Sequence, residues 1–146
     1  MAPIEDRIEP IERLRRDLKK AAATLTATEA RFLVDAYYQM QKDRIRAAHQ
    51  ARTLAASGEP HAVLTWLFDN TAVLERNIKT ALGVYSQAQP VGRWAESLVG
   101  IGPVISAGLL AHIDIAKAPT VGHIWRFAGL DPTMVWATGM SPSALK

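Results

Sequence analysis

Between positions 67 and 85 the chain places Leu67, Thr71, Leu74, Ile78, Leu82 and Tyr85 at successive steps of 4, 3, 4, 4 and 3. A stripe with that period lies along one face of an α-helix and obliges the helix to pack lengthwise on another helix. The preceding segments supply candidates. Ile11, Leu14, Leu18 and Leu25 recur at spacings of 3, 4 and 7, with Glu9-Pro10 as the helix start. Thr26-Ala27-Thr28-Glu29 reads as a capping box. The helix it opens runs to about Ala56, stops at Ser57-Gly58 and carries Leu33, Tyr37, Met40, Ala48, Ala51 and Ala55 as its apolar positions. The seam helix itself begins after Glu59-Pro60. Residues 1–89 are therefore expected to form a long-helix bundle or coiled-coil arm, suited to homo-oligomerisation or to docking a protein partner.

After Gln87-Ala88-Gln89-Pro90 the texture changes to short helices over Val91–Val99, Pro103–Ile113 and Val121–Ala128. Turns at Gly100-Ile101-Gly102, Ala116–Thr120 and Gly129–Pro132 separate them. No run alternates as a half-buried strand would, so the class is all-α, with a second, smaller module over residues 90–146.

Composition removes several function classes. The chain has no cysteine, which excludes disulfide frameworks, thiolate metal sites and a cysteine nucleophile. The longest mostly apolar stretch, Leu98–Ala111, is 14 residues and is broken by three glycines and a proline, too short to span a bilayer. The opening Met1-Ala2-Pro3-Ile4-Glu5-Asp6 lacks the basic and apolar regions of a secretion signal, so a cytoplasmic location is expected. The net charge of +3 resides in residues 1–56, where eleven Lys/Arg face eight Asp/Glu; residues 57–146 are balanced at six of each. Arg13, Arg15, Arg16, Lys19 and Lys20 form a basic run that reads first as a solvated helix face.

The stretch with chemistry in it is Leu98-Val99-Gly100-Ile101-Gly102-Pro103-Val104-Ile105-Ser106. A helix ends, a Gly-Ile-Gly turn follows, and a new helix opens on proline. The glycines leave backbone N–H groups unobstructed, Ile101 can plug between the helices, and the dipole at the new helix start favours an anion. This is the logic of a helix-hairpin-helix motif, which holds DNA phosphates without reading bases. The DNA-binding residues expected are Gly100, Ile101, Gly102, Val104 and Ile105 through the main chain, with Arg93, Lys117 and Arg126 as charged support. Val104 stands where many such motifs carry a lysine.

Gly100-Ile101-Gly102-Pro103-Val104 through Leu109-Leu110-Ala111, followed by Trp125-Arg126-Phe127-Ala128-Gly129-Leu130-Asp131-Pro132, resembles the C-terminal domain of bridge-RNA-guided insertion-sequence transposases with a DEDD nuclease domain. Related stand-alone phage and prophage proteins are similar also at Pro90-Val91-Gly92-Arg93-Trp94. The resemblance spans about Val91 to Gly139 and implies a mobile-element or phage protein that binds DNA. It also implies a nuclease domain of four carboxylates on a β-sheet and a serine beside a glycine after Ala-Gly-Leu-x-Pro. The N-terminal half here reads as helical, and that neighbourhood reads Trp136-Ala137-Thr138-Gly139, with Ser141 and Ser143 only afterwards.

No catalytic residue, metal ligand or cofactor is therefore assigned. His49, His61, His112 and His123 are scattered, with only His112-Ile113-Asp114 hinting at a ligand pair. Ser106 is read as packing, Trp66, Trp94 and Trp125 as core. The partners expected are DNA through its backbone phosphates, RNA by the same chemistry and a second copy of the chain, with no membrane. The alternative is a helical protein-interaction module, such as a phage inhibitor of a host nucleic-acid enzyme, that keeps the hairpin only as structure.

Overall fold

The computed structural model describes residues 14–56, 58, 62–131 and 133. The expectations placed on Glu9-Pro10, Ile11, Arg13, Ser57, Glu59-Pro60, His61, Pro132, Trp136 to Gly139, Ser141 and Ser143 lie outside the described residues. The described chain is all-helical, with no strand. The helices are α1 (Arg16–Ala21), α2 (Ala27–Ala55), α3 (Ala62–Gln87), α4 (Pro90–Glu96), α5 (Pro103–His112) and α6 (Val121–Phe127), with a 3-10 turn at Ala22–Thr24 after α1.

The capping box at Thr26 forms in full. Glu29 N–H donates to Thr26 Oγ1 at 3.2 Å, and Thr26 N–H donates to the Glu29 carboxylate at 2.8 Å. From that start α2 runs antiparallel to α3, as the pairing of Arg44 with Glu75 and the common burial of Tyr37 with Leu82 require. The core lies at one end of this pair, where Ala30, Val34 and Tyr37 of α2 meet Leu82 and Tyr85 of α3 and Val104, Ala107 and Ala111 of α5. Small residues on α5 let it rest close against both long helices, and Arg31 Nε donates to the Ala111 carbonyl at 2.6 Å to fix its end.

Three expectations change. The first segment is not one long amphipathic helix: α1 is only 6 residues, less than two turns, and Leu18 on it is exposed. Its hold on the long helices comes instead from Ala22 in the 3-10 turn, which is buried, and from Leu14 N–H donating to Asn77 Oδ1 at 3.3 Å. The division at residues 89 and 90 is not where packing divides the chain. One compact unit runs to His112 and another begins at Ile113, because α5 supplies core residues beneath α2 and α3. Finally, Trp66, Trp94 and Trp125 are not core: they are 41%, 64% and 50% exposed. No helix among the described residues is long and apolar enough to cross a membrane.

Candidate nucleic-acid interface

The α4–α5 hairpin is positioned by a buried polar clasp. Ser106 Oγ donates to the Gly92 carbonyl at 3.3 Å and lies 2.7 Å from Ser86 Oγ, whose hydroxyl completes the chain as donor. Both serines have zero exposure. Three elements meet here, since Ser86 belongs to α3, Gly92 to α4 and Ser106 to α5. The approach is close enough that a Cβ at residue 92 would stand 2.1 Å from the Ser86 carbonyl oxygen, so only glycine fits. The reading of Ser106 as packing holds, with the addition that it packs by hydrogen bonding.

The turn itself follows from Gly100. Ile101 N–H donates to the Leu98 carbonyl at 3.1 Å, closing a four-residue turn, and Gly100 at its third position has φ +93°. That φ is the one a type II turn demands there and a side chain resists. Gly102 then caps α5: its carbonyl accepts from Ser106 N–H at 2.9 Å, and Pro103 occupies the first helical position. The N–H groups of Gly102, Val104 and Ile105 carry no hydrogen bond within the described residues. Apart from the glycine and its chain neighbours, no heavy atom lies within 4 Å of where a Cβ at Gly100 or Gly102 would stand. The start of α5 thus has unpaired donors, with open space beside Gly100 and Gly102. Val104 is buried in the core, and Ile101 is half-buried.

The supporting cations each have an internal partner. Arg93 Nη1 donates to the Gln87 carbonyl at 2.8 Å, fastening α4 to the end of α3. In the unit that begins at Ile113, Lys117 Nζ stands 3.9 Å from Asp114, and Arg126 Nε donates to Asp131 Oδ2 at 3.0 Å. Arg126 and Asp131 meet because α6 ends in a reversing cap. Leu130 N–H donates to the Trp125 carbonyl at 2.8 Å and Gly129 N–H to the Arg126 carbonyl at 3.1 Å, the paired bonds of a Schellman motif with Gly129 at φ +71°. The turned chain brings Asp131 back beside α6. Thr133 holds the other Asp131 oxygen through its N–H at 2.9 Å and its hydroxyl at 2.6 Å, and these bonds with Arg126 lower the Asp131 carboxyl to about 2.

Sequence reasoning missed Asp131 and Thr133 as partners of Arg126. The signal was present in the glycine at 129, three residues after Arg126, which turns the chain back with an aspartate two residues further on. It also missed the apolar surface of the hairpin, where Val91, Trp94, Leu98, Val99, Ile105 and Leu109 are all exposed. No group of three or more metal-ligating side chains exists among the described residues, and His112 and Asp114 do not form one. Comparison with protein-family models, with curated proteins and with solved structures gives no match to this chain.

Proposed function

We propose that the chain binds DNA through the α4–α5 hairpin, holding backbone phosphate with main-chain N–H groups and little regard for base sequence. The observation that carries this reading is the start of α5, where the donors of Gly102, Val104 and Ile105 are unpaired and the space beside Gly100 and Gly102 is open. A phosphate oxygen satisfies such donors, and the helix dipole adds to the attraction. In the setting implied by the resemblance, a mobile element or phage, such a module attaches a protein to DNA regardless of sequence. One hairpin neutralises few phosphates, so log K should fall with log salt at a slope of about −2 to −4.

Gly102→Asp tests the reading cleanly. The space at residue 102 is empty, its φ is not in the left-handed region, and aspartate is a favoured helix cap, so the variant should fold as the wild type does. Its carboxylate then occupies the phosphate position. Duplex binding measured by anisotropy at low salt should be lost while far-UV CD is unchanged; a variant that binds duplex as the wild type does removes the hairpin as the site.

The exposed apolar side chains on the same hairpin, Trp94 and Val99 foremost, favour a second reading as a protein-interaction module. In it the hairpin docks a partner protein and the long helices associate through the seam they leave half-covered. Absence of duplex binding by the wild-type chain at low salt puts this reading first.

A further inference from the structure

The cleft beside α6 has the chemistry of a site that takes a phosphate and a flat ring together. It encloses about 290 Å³, close to the lower end of ordinary small-ligand pockets, and is lined by His123, Trp125, Arg126, Asp131 and Thr133 among others. Two of its donors are aimed by their own hydrogen bonds. Thr120 Oγ1 lies 2.6 Å from His123 Nδ1; with the hydroxyl donating, the ring proton is on Nε2, which is left as a free donor. Asp131 engages Arg126 through Nε, and neither Nη1 nor Nη2 has a hydrogen bond within the described residues. One Asp131 oxygen is held by Thr133 and the other accepts from Arg126, so the carboxylate serves as an anchor for the guanidinium.

Charge decides what such a cleft takes. Asp131 stays ionised at any working pH and cancels Arg126, so a bare phosphate gains little Coulomb attraction here. Affinity has to come from a second contact, and Trp125 in the same cleft, half exposed, supplies an aromatic face. We propose that the α6 cleft binds one unpaired nucleotide, with its phosphate on Arg126 and His123 Nε2 and its base stacked on Trp125. A paired base cannot offer its face, so the ligand is either a nucleotide of a single strand or a free nucleotide. The proposal stands apart from the hairpin reading, since it uses neither the turn nor duplex DNA.

The test measures anisotropy of fluorescein-labelled (dT)12 with the full chain at about 50 mM salt. Stacking on one aromatic side chain is worth about 1–3 kcal/mol, so Trp125→Leu should weaken binding about fivefold or more. Trp125→Phe keeps a ring face and should stay within about threefold of wild type; Arg126→Gln should weaken binding about fivefold. Competition separates the sources: displacement by dTMP shows a free-nucleotide site, and displacement by unlabelled (dT)12 alone shows a single-strand site. Inorganic phosphate should not compete at the dTMP concentrations. Repeated in Gly102→Asp, whose hairpin donors are blocked, the same losses should appear on Trp125→Leu and Arg126→Gln, which keeps failure here distinct from failure of the hairpin. No (dT)12 binding by wild type, equal loss in the Phe and Leu variants, or phosphate competing as well as dTMP overturns the proposal.

Discussion

The two ends of the α2–α3 pair share a seam and a helical period yet are built differently. At the end covered by α5, Leu82 has no exposed surface and Ala30 and Ala107 none either. At the other end the same stripe reaches Leu67, which is 48% exposed, and Ile45 and Trp66 are partly exposed as well. A cleft of about 430 Å³ opens there between Met40, Ala47, Leu64 and Leu67. Two helices touch along a line and cannot enclose a side chain, so a third element is what turns a seam into a core. Between the two ends the seam holds a charged pair. Glu75 is buried against α2, where Arg44 binds it by Nε and, at 3.4 Å, by Nη2. Beside them burial, and then the Glu75 charge, raise the Tyr37 hydroxyl above its ordinary value.

Truncation at matched positions of the one stripe is the strongest way to break this comparison. Leu82→Ala should cost about 3–5 kcal/mol by chemical denaturation, because α5 and the two long helices close around the cavity it leaves. Leu67→Ala, on a side chain already half in water, should cost under about 1 kcal/mol. Equal losses would mean that the far end is covered by something as well packed as α5.

The contrast shows what sequence could and could not reveal. The Thr26–Glu29 cap was legible because all its atoms lie within four residues, and the seam because its period is local to one helix. The place of α5 was not legible. Its residues are apolar on every side, so no face announces a partner, and burial of Val104, Ala107 and Ala111 depends on where α2 and α3 run. The same holds for the tryptophans: an aromatic residue in a helix carries no sign of whether another element will cover it. The hairpin turn was readable from Gly100 and Pro103, while the clasp beneath it was not, since Ser86, Gly92 and Ser106 meet only in the fold. Arg44 and Glu75 are visible as charges, but their pairing needs the α2–α3 register.

That ion pair sharpens the comparison at a smaller scale. Glu75 is 11% exposed at its side chain and Arg44 34%, so removing the arginine leaves a carboxylate in the seam with its main donor gone. Arg44→Met should cost about 2 kcal/mol, below the cost for a fully buried pair because water reaches the arginine side. The double variant Arg44→Met with Glu75→Leu should recover most of that loss, since an apolar pair fits a seam as well as an ionic one. A double variant as unstable as the single one would instead make the pair a determinant of helix register, and the middle of the seam would then be held by charge where the covered end is held by packing.

The smallest effect expected separates the ends by pH. Glu29 caps the start of α2 at the covered end, and the bonds from Thr26 N–H and hydroxyl hold its carboxyl below its ordinary value of 4.5. A carboxyl lowered in the folded state contributes stability that is complete above the unfolded value and fades as pH falls through the folded one. Stability should therefore decline by a part due to Glu29 as pH falls below the ordinary value of 4.5, and Glu29→Gln should lack that part. Thr26→Ala removes the hydroxyl's bonds to the Glu29 N–H and carboxylate, leaves the backbone N–H bond to Glu29 in place, and should cost about 1 kcal/mol at neutral pH. Denaturation monitored by CD at pH 6 and pH 3.5, compared between wild type and Glu29→Gln, isolates the difference from the other carboxylates, which titrate alike in both. Hydrogen exchange at the first-turn amides of α2 should register the loss at low pH, and amides near Gln50 should not. The Arg126–Asp131 contact beside α6 serves as an internal control, because a carboxyl lowered to about 2 keeps its partner across that whole window. Identical pH dependence in wild type and Glu29→Gln would show that the cap, though formed, adds nothing that the packing of α5 over the same end does not already secure.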